Sequence, residues 1–279
     1  MNPAGASAGR RLWFTDLDGT LLECGTYSPA TARPALARLV AAGVQVVFCS
    51  SKTAAEQRAL RAELGLPGIW EIVENGAAIT VPGEAASALT GEWVPVPEEP
   101  ARRCHGLGLP RAAIVERLAR VQARTGLALR GYRDLTDEAL AVLTGLPVAV
   151  AGRARQRDYS ETLVDDLSDE AWRQLAPEFA AEGLECRHGG RFHTVTGAGT
   201  DKGAAVRWLT ARAAPAATVG VGDSANDRPL LAAVQQAFLV ARPDGTWAEL
   251  DLPGVTSVAG CGPAGFVAVA ARLLARGQG

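Results

Sequence analysis

The sequence predicts an α/β protein in which a Rossmann-like parallel sheet core is interrupted by an inserted α+β module. Short apolar runs alternate with helical segments in the first 82 residues and again after residue 197, as is typical of a parallel sheet covered by helices. Between these parts the pattern changes to two helices and an antiparallel-looking hairpin. At 279 residues and 48% hydrophobic composition, the chain can bury a sizeable core.

The first part of the core is predicted to run from residue 10 to residue 82. Ser28-Pro29 is a typical helix start, with Leu36, Leu39 and Val40 on the apolar face and Gly43 at the end. The Val-rich run 44–49 indicates a strand that is covered on both faces. The remaining predicted elements are strands at 12–14, 69–73 and 77–81 and a helix at 54–64 that Gly65 ends.

The inserted module is predicted to span residues 83–196. A Pro- and Glu-rich stretch at 94–100 indicates a linker or an irregular excursion. The module then contains helices at 111–125 and 137–143, a strand near 162–164, a helix capped by Ser168 and a Gly189-Gly190 hairpin between 184–187 and 192–195. The core resumes over 197–279, with helices at 202–213, after Asn226 and at 263–276, and strands at 218–221 and 237–240.

Charge and composition exclude several classes of partner. A net charge of −2 offers no positive patch for nucleic acid or an anionic membrane. The longest uncharged run, 254–271, contains Pro263 and several Gly, so we expect no membrane helix there. Five Cys without a C-x-x-C pair are typical of a reduced chain, and we expect a cytoplasmic protein, either a monomer or a homodimer.

The strongest chemical signal is Asp16-Leu-Asp18-Gly-Thr, directly after the first apolar strand. Ligands of open α/β sheets bind beyond the carboxyl ends of the strands, where both carboxylates would lie. The two can converge on one cation, or one can attack while the other moves a proton. An Asp-rich turn that only caps backbone amides is the alternative.

A second acidic segment, 222–227 (Gly-Asp-Ser-Ala-Asn-Asp), follows another apolar strand. Carboxylate oxygens at two strand ends suit Mg²⁺ together with a substrate phosphate, although Asp at a helix N-cap would also explain part of the pattern. Ser50 and Ser51 end a further strand, and Lys202 begins a helix. Hydroxyls, helix-terminal amides and an ammonium are groups that a phosphoryl group needs, while no P-loop spacing is present.

Only two of the 28 basic residues are Lys, namely Lys52 and Lys202. An ammonium is a compact point charge and a guanidinium is a planar fork, so a Lys in an Arg-rich chain can mark a site that needs the smaller group. Chance survival of two codons is the alternative. The position of Lys202 at the start of a predicted helix, where backbone amides are also available, favours a phosphoryl-binding role for that residue.

Taken in order, DLDGT at 16–20, Ser50, Lys202 and GDSAND at 222–227 resemble the four motifs of the haloacid dehalogenase superfamily of aspartate-nucleophile phosphohydrolases. The resemblance implies that the insert is a cap domain. It also implies that Asp16 attacks phosphorus, that Asp18 acts as acid and then base, and that Ser50 and Lys202 hold the phosphoryl oxygens. The implied Mg²⁺ ligands are Asp16, the main-chain carbonyl of Asp18, Asp223 and Asp227, the last as a ligand or as support.

Within the superfamily, the stretches 46–57, 73–82, 157–161 and 189–206 resemble mannosyl-3-phosphoglycerate phosphatases. The resemblance implies Mg²⁺-dependent release of phosphate from mannosyl-3-phosphoglycerate or glucosyl-3-phosphoglycerate, a small-molecule substrate with a phosphate, a carboxylate and a hexose. We expect a bidentate Arg for the carboxylate and polar groups for the hydroxyls. The candidates for substrate and phosphate binding are Ser50, Ser51, Lys52, Glu74, Asn75, Arg157, Ser160 and Glu161.

The sequence leaves alternatives open for the basic residues of the insert and for the activity. Arg153, Arg155 and Arg157 could be only a solvated basic run, and His193 is expected to be structural. The activity could instead be that of a broad-specificity sugar phosphatase or of a phosphotransferase that resembles the phosphomannomutases. A non-enzymatic binding module is a further alternative, which the intact acidic and basic residues make the weakest.

Overall fold

The computed structural model describes residues 9–189 and 192–276. Its strands are β1 (Arg11–Thr15), β2 (Gln45–Cys49), β3 (Trp70–Val73), β4 (Ala78–Pro82), β5 (Val94–Val96), β6 (Glu99–Gly106), β7 (Glu161–Leu163), β8 (Leu184–Gly189), β9 (Phe192–Gly197), β10 (Ala217–Gly222), β11 (Gln236–Ala241) and β12 (Val255–Cys261). Its α-helices are α1 (Arg33–Ala41), α2 (Ala54–Leu64), α3 (Gly83–Ala88), α4 (Arg111–Thr125), α5 (Asp137–Thr144), α6 (Val148–Arg155), α7 (Asp169–Ala181), α8 (Lys202–Ala213), α9 (Arg228–Leu231) and α10 (Pro263–Arg276).

A large, mainly parallel sheet forms the core and confirms the predicted α/β class. Its strand order is β12-β11-β10-β1-β2-β3-β4-β6-β5, with parallel pairing from β12 to β3 and antiparallel pairing beyond. Alternate residues of β1 enter different apolar clusters, Trp13 on one face and Leu12 and Phe14 on the other. Helices therefore cover both faces of the sheet, which is why its strands are apolar throughout.

A second, smaller sheet has the antiparallel order β7-β9-β8. Helices α4 and α7 cover it through a separate apolar cluster that includes Ile114, Leu118, Phe179 and Val195. This arrangement of helices on one antiparallel sheet is the α+β pattern expected for the insert. Among the described residues, no helix is long and apolar enough to cross a membrane.

One stretch of the chain differs from its predicted structure. Residues 94–100, predicted from the sequence to be a linker or an irregular excursion, contribute to β5 and β6 at the edge of the large sheet. Pro95 is tolerated there because β5 is an edge strand and needs no full ladder of N–H donors. The assignment of 10–82 and 197–279 to a core domain, and of 83–196 to a cap domain, stays a prediction.

Other elements differ in detail. The first helix begins at Arg33 rather than at Ser28-Pro29, and Val40 is exposed although we expected it on the apolar face. Strand β12 and helix α6 were not predicted: only one of the seven residues of β12 is buried, so it lacks an apolar pattern, and α6 is short and rich in Gly and Ala. By contrast, α2 ends at Gly65 in the left-handed conformation as expected. The predicted turn residue Gly190 lies outside the described residues.

A buried ionic network ties the parallel part of the large sheet to its antiparallel edge. Glu71 on β3 accepts hydrogen bonds from Arg61 Nε at 3.0 Å and from Arg102 Nη2 at 2.9 Å. Thr80 on β4 also donates to this carboxylate. Glu71, Arg61 and Arg102 are all buried, so each charge depends on its partners for compensation.

Replacing Glu71 by Gln should lower the free energy of unfolding by about 3 kcal/mol or more, because two buried guanidinium groups lose a carboxylate partner. Urea denaturation followed by circular dichroism measures the change. Glu170→Gln is the matched control, since its pair with Arg173 is exposed and should contribute less than about 1 kcal/mol. Equal losses in the two variants would contradict the assigned role of the network.

Candidate active site

Three chain segments meet at the carboxyl edge of the large sheet because their strands are parallel neighbours. Strand β1 lies between β10 and β2. Asp16 follows β1, Asp223 follows β10 and Ser50 follows β2. The backbone N–H of Asp16 donates to Val221 O at 2.9 Å, which extends the ladder by one residue. The topology therefore brings together the residues that the sequence placed at separate strand ends.

Lys202 lies at the centre of this edge. It is the first residue of α8, whose N-cap Asp201 accepts a hydrogen bond from Ala204 N at 2.7 Å. Its Nζ donates to Asp16 Oδ1 at 2.5 Å and to Asp227 Oδ1 at 2.7 Å, and the side chain is only 1% exposed. Burial lowers the pKa of Lys202, but attraction by the two carboxylates outweighs burial and raises it. The ammonium is therefore charged.

The carboxylates around Lys202 repel one another. Burial, followed by the nearby Asp227, raises the pKa of Asp16 well above its ordinary value and that of Asp223 to about 6. Asp16, Asp223 and Asp227 each offer one oxygen within 4.8 Å of the others. One ammonium compensates only part of this negative charge, and three converging carboxylate oxygens suit a hard divalent cation. The donor set of this structure therefore fits Mg²⁺.

The three carboxylates differ in how many hydrogen bonds they accept from the protein. Asp227 Oδ2 accepts hydrogen bonds from Asp223 N at 3.0 Å and from Ser224 N at 3.2 Å, so both of its oxygens have protein partners. Asp223 Oδ1 accepts only from Thr20 Oγ1, at 3.3 Å, among the described residues. A Cβ atom at Gly19 would lie 2.6 Å from Asp223 Oδ2. The Gly of the DLDGT motif thus leaves room for this carboxylate.

Asp18 pairs with the second lysine of the chain. Lys52 Nζ lies 3.0 Å from Asp18 Oδ1 and 3.6 Å from Glu56 Oε1, and it also lies 4.9 Å from the ring centre of Tyr27. Burial raises the pKa of Asp18, although Lys52 acts against this shift. Burial also lowers the pKa of Lys52, but attraction by Asp18 and Glu56 outweighs it and raises the value. Lys52 therefore contacts Asp18 in this structure and not the Asp16 carboxylate.

A strained turn after β3 connects Ser50 to the start of α8. Ser50 O accepts a hydrogen bond from Asn75 N at 2.9 Å. Glu74 and Asn75 have positive φ angles of 49° and 61°, which non-Gly residues rarely adopt. A Cβ atom at Gly76 would lie 2.1 Å from Asp201 O. The turn thus packs directly against the residue that caps the helix carrying Lys202.

A cavity of about 490 Å³ lies over these residues, between the edge of the large sheet and the inserted module. Among the predicted site residues, six line it: Asp16, Asp18, Ser51, Lys52, Asn75 and Arg157. Ser50 and Lys202 lie beneath it and are almost fully buried. The volume falls in the range of small-molecule sites.

Three further candidates for substrate binding do not line the cavity, and neither do the predicted metal ligands Asp223 and Asp227. Glu161 is fully buried, accepts a hydrogen bond from Arg111 Nε at 2.8 Å and lies 3.7 Å from Arg133, so its carboxylate is used inside the inserted module. Glu74 and Ser160 are also fully buried and contact each other. Residue type alone did not distinguish such internal partners from groups that face a ligand.

Several residues of the cavity wall were not predicted from the sequence. They are Tyr27, Glu56, Tyr132, Thr144, Leu146, Ala154, Thr162, Phe192, Thr194, Ser224 and Asn226. Glu56 could have been noted as an acidic residue in the first turn of α2, four residues after Lys52, which precedes the helix. The segments of the inserted module carry no comparable signal. His193 stacks on Trp172 with 3.7 Å between ring centres and does not line this cavity.

The chain matches the haloacid dehalogenase-like hydrolase family over residues 13–89, from β1 to just beyond α3. A glucosyl-3-phosphoglycerate/mannosyl-3-phosphoglycerate phosphatase of Methanococcoides burtonii is 35% identical, with 92% of this chain and 94% of that protein aligned. The protein of the same name from Persephonella marina is 33% identical, with 87% and 89% aligned.

The fold has relatives of known structure. A phosphatase of the haloalkanoate superfamily from Bacteroides thetaiotaomicron superposes with a TM-score of 0.63 at 18% identity, over 93% of this chain and 92% of that one. This likeness shows a shared fold. The two relatives that align over nearly their whole lengths show that the chain belongs to their family of haloacid dehalogenase-like phosphatases.

Proposed function

We propose that the protein is a Mg²⁺-dependent phosphatase that hydrolyses glucosyl-3-phosphoglycerate or mannosyl-3-phosphoglycerate to the glycosylglycerate and phosphate. The observation that carries the proposal is the buried contact of Lys202 with Asp16 and Asp227 beside Asp223, at the floor of the cavity. The names of the two aligned relatives support the substrate. Cytoplasmic location and a monomeric or homodimeric state stay predictions.

The arrangement supports a division of roles between the acidic residues. Asp16 would attack phosphorus and form an aspartyl phosphate, since Lys202 at 2.5 Å stabilises its ionised form. Asp18 would protonate the leaving oxygen and then activate water, and its raised pKa suits an acid. Ser50 and Lys202 would hold the equatorial phosphoryl oxygens.

The metal site is proposed on the same residues. Asp16, the main-chain carbonyl of Asp18, and Asp223 would hold the cation, while Asp227 would orient Lys202 and the loop after β10 through the hydrogen bonds described above. A bound Mg²⁺ supplies positive charge that offsets the phosphoryl oxygens and fixes their orientation. The family of phosphatases to which the chain belongs generally uses this ion.

The cavity wall supports a substrate with an anionic group besides the phosphate. Arg157 lines the cavity, and its Nη2 makes no hydrogen bond among the described residues. A guanidinium edge with unused donors suits a carboxylate. Asn75 and the Thr side chains of the wall are donors and acceptors for sugar hydroxyls, and Tyr27 offers an aromatic face.

A phosphate-release assay over a substrate panel tests the proposal. The panel contains both glycosyl-3-phosphoglycerates, glucose 6-phosphate, mannose 6-phosphate and p-nitrophenyl phosphate, each with Mg²⁺ and with EDTA. We expect kcat/KM to be about 100-fold higher for the glycosyl-phosphoglycerates. The other substrates lack the glycerate carboxylate, so the polar groups that would bind it stay unpaired in the transition state. No turnover is expected with EDTA. Similar values throughout would indicate a broad-specificity sugar phosphatase, and dependence on a bisphosphate activator would indicate a phosphotransferase.

Asp16→Asn should lower kcat by about 10⁴-fold or more, because it removes the nucleophile and one charged ligand of the proposed Mg²⁺ site. A cooperative thermal unfolding transition would show that the variant is folded, since Lys202 keeps Asp227 as a partner. Substrate binding by calorimetry should persist. Turnover at more than about a tenth of the wild-type rate would exclude the aspartyl-phosphate pathway, because loss of a nucleophile costs several orders of magnitude.

Lys202→Arg and Lys202→Ala should both lower kcat by about 100-fold or more, because a planar guanidinium does not fit the buried position between two carboxylates. Lys52→Arg is the comparison variant. The Lys52 side chain is 16% exposed and lines the cavity, so the larger group can extend towards the cavity and the loss should be smaller. Restoration of activity by Lys202→Arg would show that charge alone matters at this position.

A further inference from the structure

Glu74 lies next to the cavity without lining it, and all the hydrogen bonds of its side chain go to the inserted module. We propose that Glu74 is a positioning residue that acts through Ser160 to hold the guanidinium of Arg157 where the second anionic group of the substrate binds. The inference rests on the proposed function, because it concerns a substrate that carries a carboxylate besides its phosphate. It assigns Glu74 and Ser160 no contact with the substrate.

The carboxylate of Glu74 is fully occupied by donors of one short segment. Its Oε1 accepts from Asp158 N at 2.8 Å, and its Oε2 accepts from Tyr159 N at 3.2 Å and from the hydroxyl of Ser160. The residue is 0% exposed. A buried carboxylate with these three donors has no free edge for a sugar hydroxyl. Its contacts instead join the turn after β3 to the segment between α6 and β7.

Ser160 transmits this contact to Arg157. A hydroxyl has one proton, and here the Ser160 hydroxyl donates it to Glu74. The same oxygen then accepts a hydrogen bond from Arg157 Nη1 at 2.9 Å. Without the carboxylate, the hydroxyl is free to rotate and to present its proton to the guanidinium instead. Glu74 therefore sets the direction of the hydrogen bond that Arg157 makes.

Arg157 is held by neutral groups and keeps donors unused. Besides Ser160, its Nη1 contacts the main-chain oxygen of Ser51 at 3.4 Å, and its Cζ lies 5.8 Å from the ring centre of Tyr132. In the described part of the chain, no carboxylate lies within 4.0 Å of the Arg157 guanidinium, and its Nη2 makes no hydrogen bond. Its Nε also has no partner, but this atom is buried. A fixed guanidinium without a direct anionic partner at the wall of a cavity suits a ligand carboxylate.

The position of Glu74 is itself fixed by the phosphate-binding side of the site. Its N–H donates to Lys52 O at 3.0 Å, and the next N–H, of Asn75, donates to Ser50 O at 2.9 Å. Both residues have left-handed backbone conformations, which persist only where surrounding contacts enforce them. The turn therefore sets the distance between the residues that would bind phosphate and the guanidinium that would bind the carboxylate.

A double-mutant cycle of Glu74→Gln and Arg157→Ala tests the inference. KM and kcat are measured for a glycosyl-3-phosphoglycerate and for glucose 6-phosphate, which lacks the carboxylate. We expect Glu74→Gln to raise KM for the carboxylated substrate by about tenfold, the size of one charge-assisted hydrogen bond, with a much smaller change in kcat. Arg157→Ala should raise the same KM at least as much, and the double variant should match Arg157→Ala because both act on one contact.

Glu182→Gln is the matched control. Glu182 also accepts hydrogen bonds within the inserted module, from Arg120 and Arg124, but it lies outside the cavity wall. Its loss should leave the ratio of the two KM values as in the wild type. Ser160→Ala is a second route to the same result if Glu74→Gln fails to fold, and it should raise KM for the carboxylated substrate only.

Three outcomes would overturn the inference. These are an equal fall of kcat on both substrates in Glu74→Gln, an additive effect in the double variant, and an unchanged KM in Arg157→Ala. Each of them leaves phosphate release by the wild-type protein intact. Failure of the proposed function is distinguished from all three, because there the wild type itself would not prefer the carboxylated substrate.

Discussion

Three carboxylates gather around one buried ammonium at the carboxyl edge of the large sheet, and the rest of the site depends on this arrangement. Burying like charges is costly unless they are paired and hydrogen-bonded. Here Lys202 contacts Asp16 and Asp227 directly, while Asp227 also accepts two main-chain N–H groups. The remaining negative charge raises the pKa of Asp16 and Asp223. A divalent cation would complete the compensation, and the geometry thereby couples metal binding to the ionised nucleophile.

The fold enforces this arrangement from several directions. Parallel pairing of β1 with β10 places Asp16 beside Asp223, and the strained turn at 74–76 packs on the N-cap of α8. The same turn holds the segment between α6 and β7 through Glu74. One short stretch of chain thus links the sheet edge that carries Ser50 and Lys202 to the wall that the inserted module contributes to the cavity, where Arg157 lies.

The acidic and hydroxyl residues that meet at the carboxyl edge of the large sheet could be predicted from the sequence, because they follow apolar strands whose type and order are clear. Asp16, Ser50 and Asp223 each end such a run, and the ends of parallel neighbours must meet. The cavity wall could not be predicted in the same way. Glu161 and Arg157 are only four residues apart, yet one pairs internally with Arg111 and the other lines the cavity. That difference depends on tertiary packing, which residue type does not encode.

Element boundaries failed where local composition conflicts with sheet position. The Pro-rich stretch at 94–100 contributes to two strands because an edge strand can do without some N–H donors. Tyr27 enters the cavity from a loop at a positive φ of 55°, a conformation that its residue type does not favour. Tyr132 and Phe192 come from distant parts of the insert, and only the folded chain brings them together.

Asp16, whose carboxylate accepts a hydrogen bond from Lys202, is the proposed nucleophile. Acid quenching of a single turnover with a glycosyl-3-phosphoglycerate labelled at phosphorus, followed by peptide mapping, tests this assignment most directly. The account predicts a covalent label that survives acid, is released by hydroxylamine as expected of an acyl phosphate, and maps to the peptide containing Asp16. A label on Ser50 or another residue, or phosphate release without any labelled protein, would contradict it.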